Sequence, residues 1–168
     1  MVASLVRPPV GVHASYLAAI AEYQAEGGYP DFDDLEVSDP ADFHTYVEQL
    51  YRDPRNAPAP DWPEMTLLWW IDGSEYLGRL SIWHALAGPA ARSGHIGYDI
   101  RPRARGRGHA AAMLAAALPI IAGLGIDPAV ATVRLGNLAS RRVVEASGAR
   151  LVKADGDRLY FHLHTSGR

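Results

Sequence analysis

Hydrophobic and polar positions along the chain follow a helical pattern in the first third and a strand pattern after it. Apolar side chains recur at helical spacing over residues 14–25, and a second helix is predicted to follow Ser38-Asp39-Pro40, since proline suits a first helical turn. Residues 66–71 form an unbroken apolar run, and Asp72-Gly73 behind it is a strong hairpin-turn signal. The pattern therefore predicts two helices and then the first strands of a sheet.

The remainder of the chain extends this sheet and adds two helices. The Ala-rich run 108–123 is predicted to be a long helix that Pro119 kinks or loosens in its last turn. A second helix over 137–147 is expected to stop at Gly148. The remaining strands are predicted over 76–83, 95–100, 129–134, 151–152 and 158–164. This order indicates an α+β fold, a mixed and mainly antiparallel sheet flanked by helices.

Composition narrows the class of protein. The chain has 168 residues, of which 48% are hydrophobic, so we expect one globular domain over residues 1–168. It contains no cysteine, which excludes disulfides, thiolate metal sites and cysteine nucleophiles. The first residues lack an apolar signal-peptide core, and no run offers the roughly 18 apolar residues of a membrane span. A cytoplasmic protein without a membrane partner is therefore expected.

Charge is unevenly distributed, although the net charge is only −3. An acidic segment, residues 22–48, holds nine acidic residues and no Lys or Arg. A basic segment, residues 101–153, holds nine basic residues against two acidic ones. The acidic segment suits a cation and the basic segment an anion, unless both are simply solvated faces.

The most informative stretch lies where a predicted strand ends near Ile100 and the Ala-rich helix begins. There, Arg105-Gly106-Arg107-Gly108-His109-Ala110 combines two glycines with a helix N-terminus, whose unpaired N–H groups bind anions. The glycines let a ligand approach the backbone closely, and the arginines add positive charge. The stretch is neither a Walker A motif nor a Rossmann fingerprint. It indicates a pyrophosphate cradle, with a flexible turn carrying solvated arginines as the alternative.

Two motifs in this half of the chain resemble those of the GNAT superfamily of acyl-CoA N-acyltransferases. Arg105-x-x-Gly108-x-Ala110 matches the R/Q-x-x-G-x-G/A motif of that family. Asn137-x-x-Ser140-x-x-Val143, with the later Gly148, is similar to its N-x-x-S-x-x-V…G segment. The resemblance covers residues 76–152 well. It implies a GNAT-like fold with a splayed central strand pair, and acetyl-CoA as the co-substrate.

The resemblance also implies where acetyl-CoA is held. Pantetheine would hydrogen-bond the strand backbone around Ile100, like an added strand, and the pyrophosphate would take the amides of residues 107–110. Asn137 and Ser140 would lie beside the pantetheine and the thiol of the cofactor. The expected cofactor-binding residues are Tyr98, Ile100, Arg105, Gly106, Arg107, Gly108, His109, Ala110, Asn137 and Ser140.

The catalytic groups are less clearly marked. Amine acylation needs a proton acceptor for the ammonium group and a donor that polarises the thioester carbonyl. Many family members carry a tyrosine as general acid seven residues after the asparagine, where this chain has Val144. The candidates to replace it as acid or base are His84, His95, Tyr98 and Asp99, each of which also has a structural interpretation.

No metal site is expected. His162 and His164 share one strand face, which could bind a metal, but no acidic or cysteine partner is visible nearby in the sequence.

Three functions remain open at this point. The first is an N-acetyltransferase that moves acetyl from acetyl-CoA to an amine by direct attack in a ternary complex. The second is a non-catalytic acyl-CoA-binding sensor, for which Val144 is the argument. The third is a nucleic-acid binder using the arginines of 101–107, which the negative net charge and the lack of interleaved aromatic residues disfavour.

The expected partner is a small-molecule or peptide amine, without nucleic acid. In the family the first two helices border the acceptor site, so the acidic segment predicts a cationic or polyamine-like acceptor or a basic peptide terminus. A homodimer is left open.

Overall fold

The computed structural model describes residues 2–56 and 61–166. Its strands are β1 (Ser4–Val6), β2 (Met65–Asp72), β3 (Glu75–Trp83), β4 (Ile96–Ile100), β5 (Ala129–Arg134), β6 (Arg150–Asp155) and β7 (Arg158–Leu163). Its helices are α1 (His13–Glu26), α2 (Pro30–Asp33), α3 (Pro40–Arg52), α4 (Ala90–Ser93), α5 (His109–Gly123) and α6 (Leu138–Ala146). The strands form one sheet in the order β1-β2-β3-β4-β5-β7-β6, antiparallel throughout except between β4 and β5.

The predicted α+β fold is confirmed, and most predicted elements begin and end within one residue of their expected bounds. The exception is β6, predicted over two residues, which is longer because it forms a hairpin with β7. Three short elements, β1, α2 and α4, were not predicted. Elements of three or four residues carry too little periodicity to be recognised in a sequence.

The helix α5 continues through Pro119 to Gly123. Pro119 is exposed, and the end of the helix is irregular, since the Leu124 N–H is shared between the carbonyls of Ile120 and Ile121. Pro119 therefore does not end the helix, although a proline inside a helix removes one backbone hydrogen bond.

The two faces of the sheet are covered by different helices. The helices α1 and α3 pack on one face through an aromatic core, in which the rings of Tyr16 and Trp69 stack at 4.5 Å between centroids. The helix α5 covers the opposite face with Met113 and Leu114. The helix α6 adds a smaller cluster around Val144 and Phe161. Strand β4 lies in the middle of the sheet, and its two faces point into different cores.

In the described part of the chain, we find no helix with both the length and the apolar character needed to cross a membrane.

Candidate active site

Strands β4 and β5 are the splayed pair that the resemblance implies. They run parallel and are in register only at Ile96 and Ala131. In contrast, β4 pairs with β3 along its whole length. Beyond Ile96 the two strands separate, and among the described residues no strand pairs with the edge of β4 that faces β5.

The phase of the β3–β4 ladder shows which peptide groups this edge leaves open. The Arg101 N–H donates to the Leu77 carbonyl at 2.9 Å. Because hydrogen-bonding residues alternate along an antiparallel pair, Asp99 also turns its peptide groups toward β3. Tyr98 and Ile100 therefore turn theirs toward the gap. The Ile100 carbonyl accepts from Arg105 Nε at 2.9 Å, which leaves the Tyr98 peptide and the Ile100 N–H for a ligand.

A groove of about 480 Å³ lies along this edge and continues to the start of α5 and α6. Of the ten expected cofactor-binding residues, nine line it, and the exception is Arg107, which is exposed. Gly106 and Gly108 have φ of 74° and 81°, a conformation that favours glycine. A Cβ at either glycine meets no protein atom within 4 Å, so it would project into space that a ligand could use.

The N-terminus of α5 opens onto the same groove. Its first intrahelical bond runs from the Ala112 N–H to the Gly108 carbonyl at 3.1 Å. The amides of residues 109–111 therefore lack an acceptor within the helix, and they present donors and the positive end of the helix dipole to an anion. Together with the two glycines they fit the pyrophosphate of acetyl-CoA.

Of the two cradle arginines, Arg105 is not a free positive charge, whereas Arg107 is exposed. Arg105 is paired with Glu26, Nη1 to Oε1 at 2.5 Å and Nη2 to Oε2 at 2.9 Å, and it also donates to Tyr29 Oη. The hydrogen bond from Arg105 holds the pKa of Glu26 below its usual value. Arg101 is fully buried against Glu22, at 2.6 Å.

The acidic and basic segments thus pair with each other through Glu22 and Glu26. Arg103 also lies beside Glu22, at 3.5 Å. Asp31 pairs with Arg79 of β3 at 3.0 Å. Asp31 also lines a second cavity, which is described below. The other six acids of the segment line neither that cavity nor the groove: Asp33, Asp34, Glu36, Asp39, Asp42 and Glu48.

A pair of hydroxyl groups lies on the α6 side of the groove. Tyr98 Oη and Ser140 Oγ are 2.8 Å apart. The Ser140 N–H donates to Asn137 Oδ1 at 3.1 Å, so Asn137 caps α6 and fixes the serine in the first turn. Burial raises the pKa of Tyr98, so its hydroxyl stays protonated at neutral pH and is able to donate.

Asp99 lies on the opposite face of β4, toward α1 and α2. Its carboxylate accepts from Tyr23 Oη at 2.5 Å and from Arg79 Nε at 2.7 Å. Burial, and then the charge of Asp99, raise the pKa of Tyr23, so this tyrosine remains a donor. Asp99 is therefore held in place by two donors and has further lone pairs available to a ligand.

A second cavity, of about 470 Å³, lies on this face and is called the acceptor cavity below. Tyr98 and Asp99 line both this cavity and the groove. The two spaces therefore meet at these two residues of β4, where the strand has lost its neighbour. Such a junction allows one ligand in the groove to react with another in the acceptor cavity.

The two candidate histidines lie elsewhere. His95 accepts the Val130 N–H on Nδ1 at 2.9 Å, and burial lowers its pKa, so it is a neutral ring that supports the start of β5. His84 contacts Thr66 Oγ1 through Nε2 at 2.8 Å. Neither histidine lines the groove or the acceptor cavity. The structure therefore brings together Tyr98 and Asp99, and leaves His84 and His95 outside the junction.

Val144, at the position of the usual family tyrosine, is only 1% exposed. It packs in the core with Val133 and Phe161 and does not line the groove.

Several lining residues were not among the site residues predicted from the sequence, and Trp83 was interpreted there as a core residue. Tyr29 and Arg142 line the groove, and Arg79 and Trp83 line the acceptor cavity. Arg79 and Trp83 could have been grouped from the sequence, since residues 79, 81 and 83 of one strand must share a face. Nothing in the sequence marks Tyr29, which follows the end of α1.

Comparisons with known proteins agree with this geometry. The family model described as an acetyltransferase (GNAT) domain matches residues 12–150. A search of curated proteins finds no match.

Solved structures with a similar fold include three acetyltransferases. The microcin C7 self-immunity acetyltransferase MccE, in complex with acetyl-CoA and AMP, has a TM-score of 0.68 at 15% identity and covers 96% of this chain and 92% of its own. RimJ of Mycobacterium smegmatis, in complex with a CoA disulfide, has a TM-score of 0.66 at 20% identity over 96% of this chain and 81% of its own. RimL, the ribosomal L7/L12 α-N-protein acetyltransferase in complex with coenzyme A, has a TM-score of 0.62 at 17% identity over 95% of this chain and 92% of its own.

At these identities the structures establish the fold, and the family model covers most of the chain. The splayed strands, the glycine cradle and the match over residues 12–150 lead to one conclusion: the chain belongs to the GNAT family of acetyltransferases, which use acetyl-CoA as co-substrate.

Proposed function

We propose that residues 1–168 act as a single N-acetyltransferase domain, in which an amine in the acceptor cavity takes the acetyl group from acetyl-CoA in the groove. The observation that carries this proposal is that the two spaces meet at Tyr98 and Asp99. A direct attack requires the reacting atoms of two substrates to approach within about 3–3.5 Å. A junction lined by both spaces supports such an approach.

The Tyr98 peptide supplies the first catalytic group. Its N–H points into the gap between β4 and β5, where no strand in the described part of the chain pairs with it. A fixed N–H aimed at the thioester oxygen stabilises the negative charge that develops there as the amine adds. The Ile100 N–H lies two residues further along the strand. Together with the amides at the start of α5, it binds the rest of the cofactor.

Asp99 supplies the second group. An alkylammonium ion has a pKa of about 10 and must lose a proton before its nitrogen can attack. Asp99 lies at the junction and is positioned by Tyr23 and Arg79, so it can accept this proton directly or through one water molecule.

The hydroxyl pair of Tyr98 and Ser140 supplies the third. As the C–N bond forms and the C–S bond breaks, the sulfur of CoA leaves with the electron pair of that bond and takes up one proton. The second proton of the ammonium group is released to solvent, and the proton held by Asp99 passes through solvent to the Tyr98 phenolate, which restores both groups. Tyr98 Oη, protonated and 2.8 Å from Ser140 Oγ, is placed on the groove side to give the sulfur its proton.

An acyl-enzyme route on a thiol is excluded, because the chain contains no cysteine. Direct transfer therefore predicts sequential kinetics. The cationic character expected of the acceptor is supported only for its ammonium group, next to Asp99 and Asp31. A cytoplasmic location and a homodimer stay predictions from the sequence.

The test is an initial-rate experiment in which acetyl-CoA and a primary amine are varied together and CoA release is followed. Intersecting lines in a double-reciprocal plot, with CoA release dependent on the amine, are expected for a ternary complex. Parallel lines would contradict direct attack. Tight binding of acetyl-CoA without transfer to any amine would favour the non-catalytic sensor instead.

A further inference from the structure

The floor of the acceptor cavity changes character along the strands. Cross-strand pairing puts Arg79 beside Asp99, then Ser81 beside Gly97, and finally Trp83 beside Met65. Successive rows on one face are about 7 Å apart, since each residue of a strand rises about 3.3 Å. The floor is therefore charged at the junction, small in the middle and apolar at the far end.

The small middle row leaves depth for a ligand. Gly97 has no side chain, and a Cβ there would come within 2.9 Å of Ser81 Oγ. A substrate can therefore lie along the floor between the two ends.

The far end is built from two tryptophans. The rings of Trp62 and Trp83 meet edge to face at 5.7 Å between centroids. Leu50 of α3 and Leu67 of β2 complete the apolar walls. Aromatic groups bind well in such an arrangement, because a third ring can add stacked or edge contacts in addition to its hydrophobic burial. All four side chains line the cavity, and none contacts the groove.

The charges in the cavity are already paired. Arg79 donates to Asp99 and Asp31, and its guanidinium lies over the Phe32 ring at 4.5 Å. Arg55 is clamped by Asp53, with Nε to Oδ1 at 2.9 Å and Nη2 to Oδ2 at 2.8 Å.

Arg55 also positions the aromatic end, since its Nη1 donates to the Trp62 carbonyl at 2.9 Å. A substrate that carried a second charge, of either sign, would find no unpaired partner among the described cavity residues.

We propose that the acceptor is a small primary amine whose amino group is joined by a short uncharged spacer to an aromatic group. This inference rests on the proposed function and names its substrate class. The ammonium group lies at Asp99, the spacer crosses Ser81 and Gly97, and the aromatic ring packs against Trp62 and Trp83. The four intervals between the five residues from Arg79 to Trp83 span about 13 Å, and side chains reaching inward from both ends shorten this to the length of a four-carbon spacer.

The experiment compares three amines with the same spacer: phenylbutylamine, butylamine and diaminobutane. The expected result is a kcat/KM for phenylbutylamine at least about tenfold above that of each of the other two, at saturating acetyl-CoA. Equal values for the three amines, or a preference for diaminobutane, would overturn this inference while leaving acetyl transfer itself in place. Transfer to none of them would also overturn this inference, and the initial-rate experiment with other primary amines would then test the proposed function separately.

Variants locate the preference in the cavity. Trp83→Ala is expected to reduce the ratio of kcat/KM between phenylbutylamine and butylamine by about tenfold, and Trp83→Phe to retain most of it. The control is Leu124→Ala, an exposed apolar residue outside both cavities, which should leave the ratio unchanged. A ratio that Trp83→Ala leaves at the wild-type value would overturn the assignment. The ratio of kcat/KM between the amines is also measured on the wild-type protein. That part of the test therefore does not depend on whether the variants fold.

Discussion

Asp99 of β4 and Arg79 of β3 are directly paired across the sheet, and Arg79 Nε donates to Asp99 Oδ2 at 2.7 Å. The pair fixes a carboxylate between the groove and the acceptor cavity. Tyr23, which donates to the other carboxylate oxygen at 2.5 Å, links this position to α1. The position of the base in our account therefore depends on two elements that are far apart in sequence.

Replacing this carboxylate is expected to slow the reaction without weakening the binding of acetyl-CoA. Asp99→Asn keeps the shape of the side chain but cannot accept a proton from the ammonium group, so kcat should fall about 100-fold or more. The loss should be much smaller with hydroxylamine, which is already neutral at pH 7. The control is Glu145→Gln, which removes a carboxylate from an arginine pair, with Arg141, outside both cavities. If kcat falls equally in Asp99→Asn and in the control, or equally with hydroxylamine and with an alkylamine, the role of Asp99 is structural.

The cradle predicts a different effect. Gly108→Val adds a branched side chain at φ of 81° in the groove and should abolish acetyl-CoA binding in calorimetry. Gly125→Val is a matched control, because its φ of 75° imposes similar backbone strain outside both cavities. Acetyl-CoA should bind to this control as it does to the wild type. Unchanged affinity in a folded Gly108→Val protein would remove the basis of the cofactor assignment.

The hydroxyl of Tyr98 is expected to act as a proton donor. Burial raises its pKa from the ordinary 10.0, so it should remain protonated throughout the neutral range. The kcat of the wild type should therefore not fall with rising pH until above about pH 10. Tyr98→Phe should lower kcat about tenfold or more, whereas Tyr160→Phe on β7, outside both cavities, should not. The wild-type kcat could instead fall with a midpoint well below pH 10, and Tyr98→Phe could abolish that fall. This result would contradict the raised pKa of Tyr98.

Restoring the family tyrosine should not improve this enzyme. Val144 is packed between Val133 and Phe161, so Val144→Tyr overfills the core and should lower the free energy of unfolding by about 1–3 kcal/mol. We expect no gain in kcat for the folded protein, measured beside chemical denaturation. A large gain would mean that the wild type lacks a proton donor, and it would favour the sensor.

Sequence reasoning succeeded where the determinants are local. The cradle from Arg105 to Ala110 depends on two glycines and a helix start that are adjacent in the chain, and the groove contains five of its six residues. The strands and long helices were found from periodicity for the same reason. Local patterns, however, could not separate Asp99 from His95, because alternation along the predicted strand 95–100 puts both on one face.

What separates these two residues is their surroundings. Asp99 meets donors from α1 and β3, whereas His95 lies before β4 begins and turns to Val130 of β5. The pairing of Arg101 with Glu22 spans 79 residues, so the sequence showed two charged segments but not that Glu22 and Glu26 pair with arginines of the basic one. The acceptor cavity combines side chains from separate helices, strands and loops, which periodicity alone cannot assemble.

The most direct test of the account is a crystal structure of the protein with CoA and phenylbutylamine bound together. We predict that CoA lies in the groove along β4, with its sulfur beside the Tyr98 peptide and the Tyr98–Ser140 hydroxyl pair. The amine nitrogen should lie within hydrogen-bonding distance of the Asp99 carboxylate, about 2.6–3.2 Å directly or through one water molecule. CoA bound away from the β4 edge, or an amine nitrogen beside His84 or His95 instead of Asp99, would contradict it.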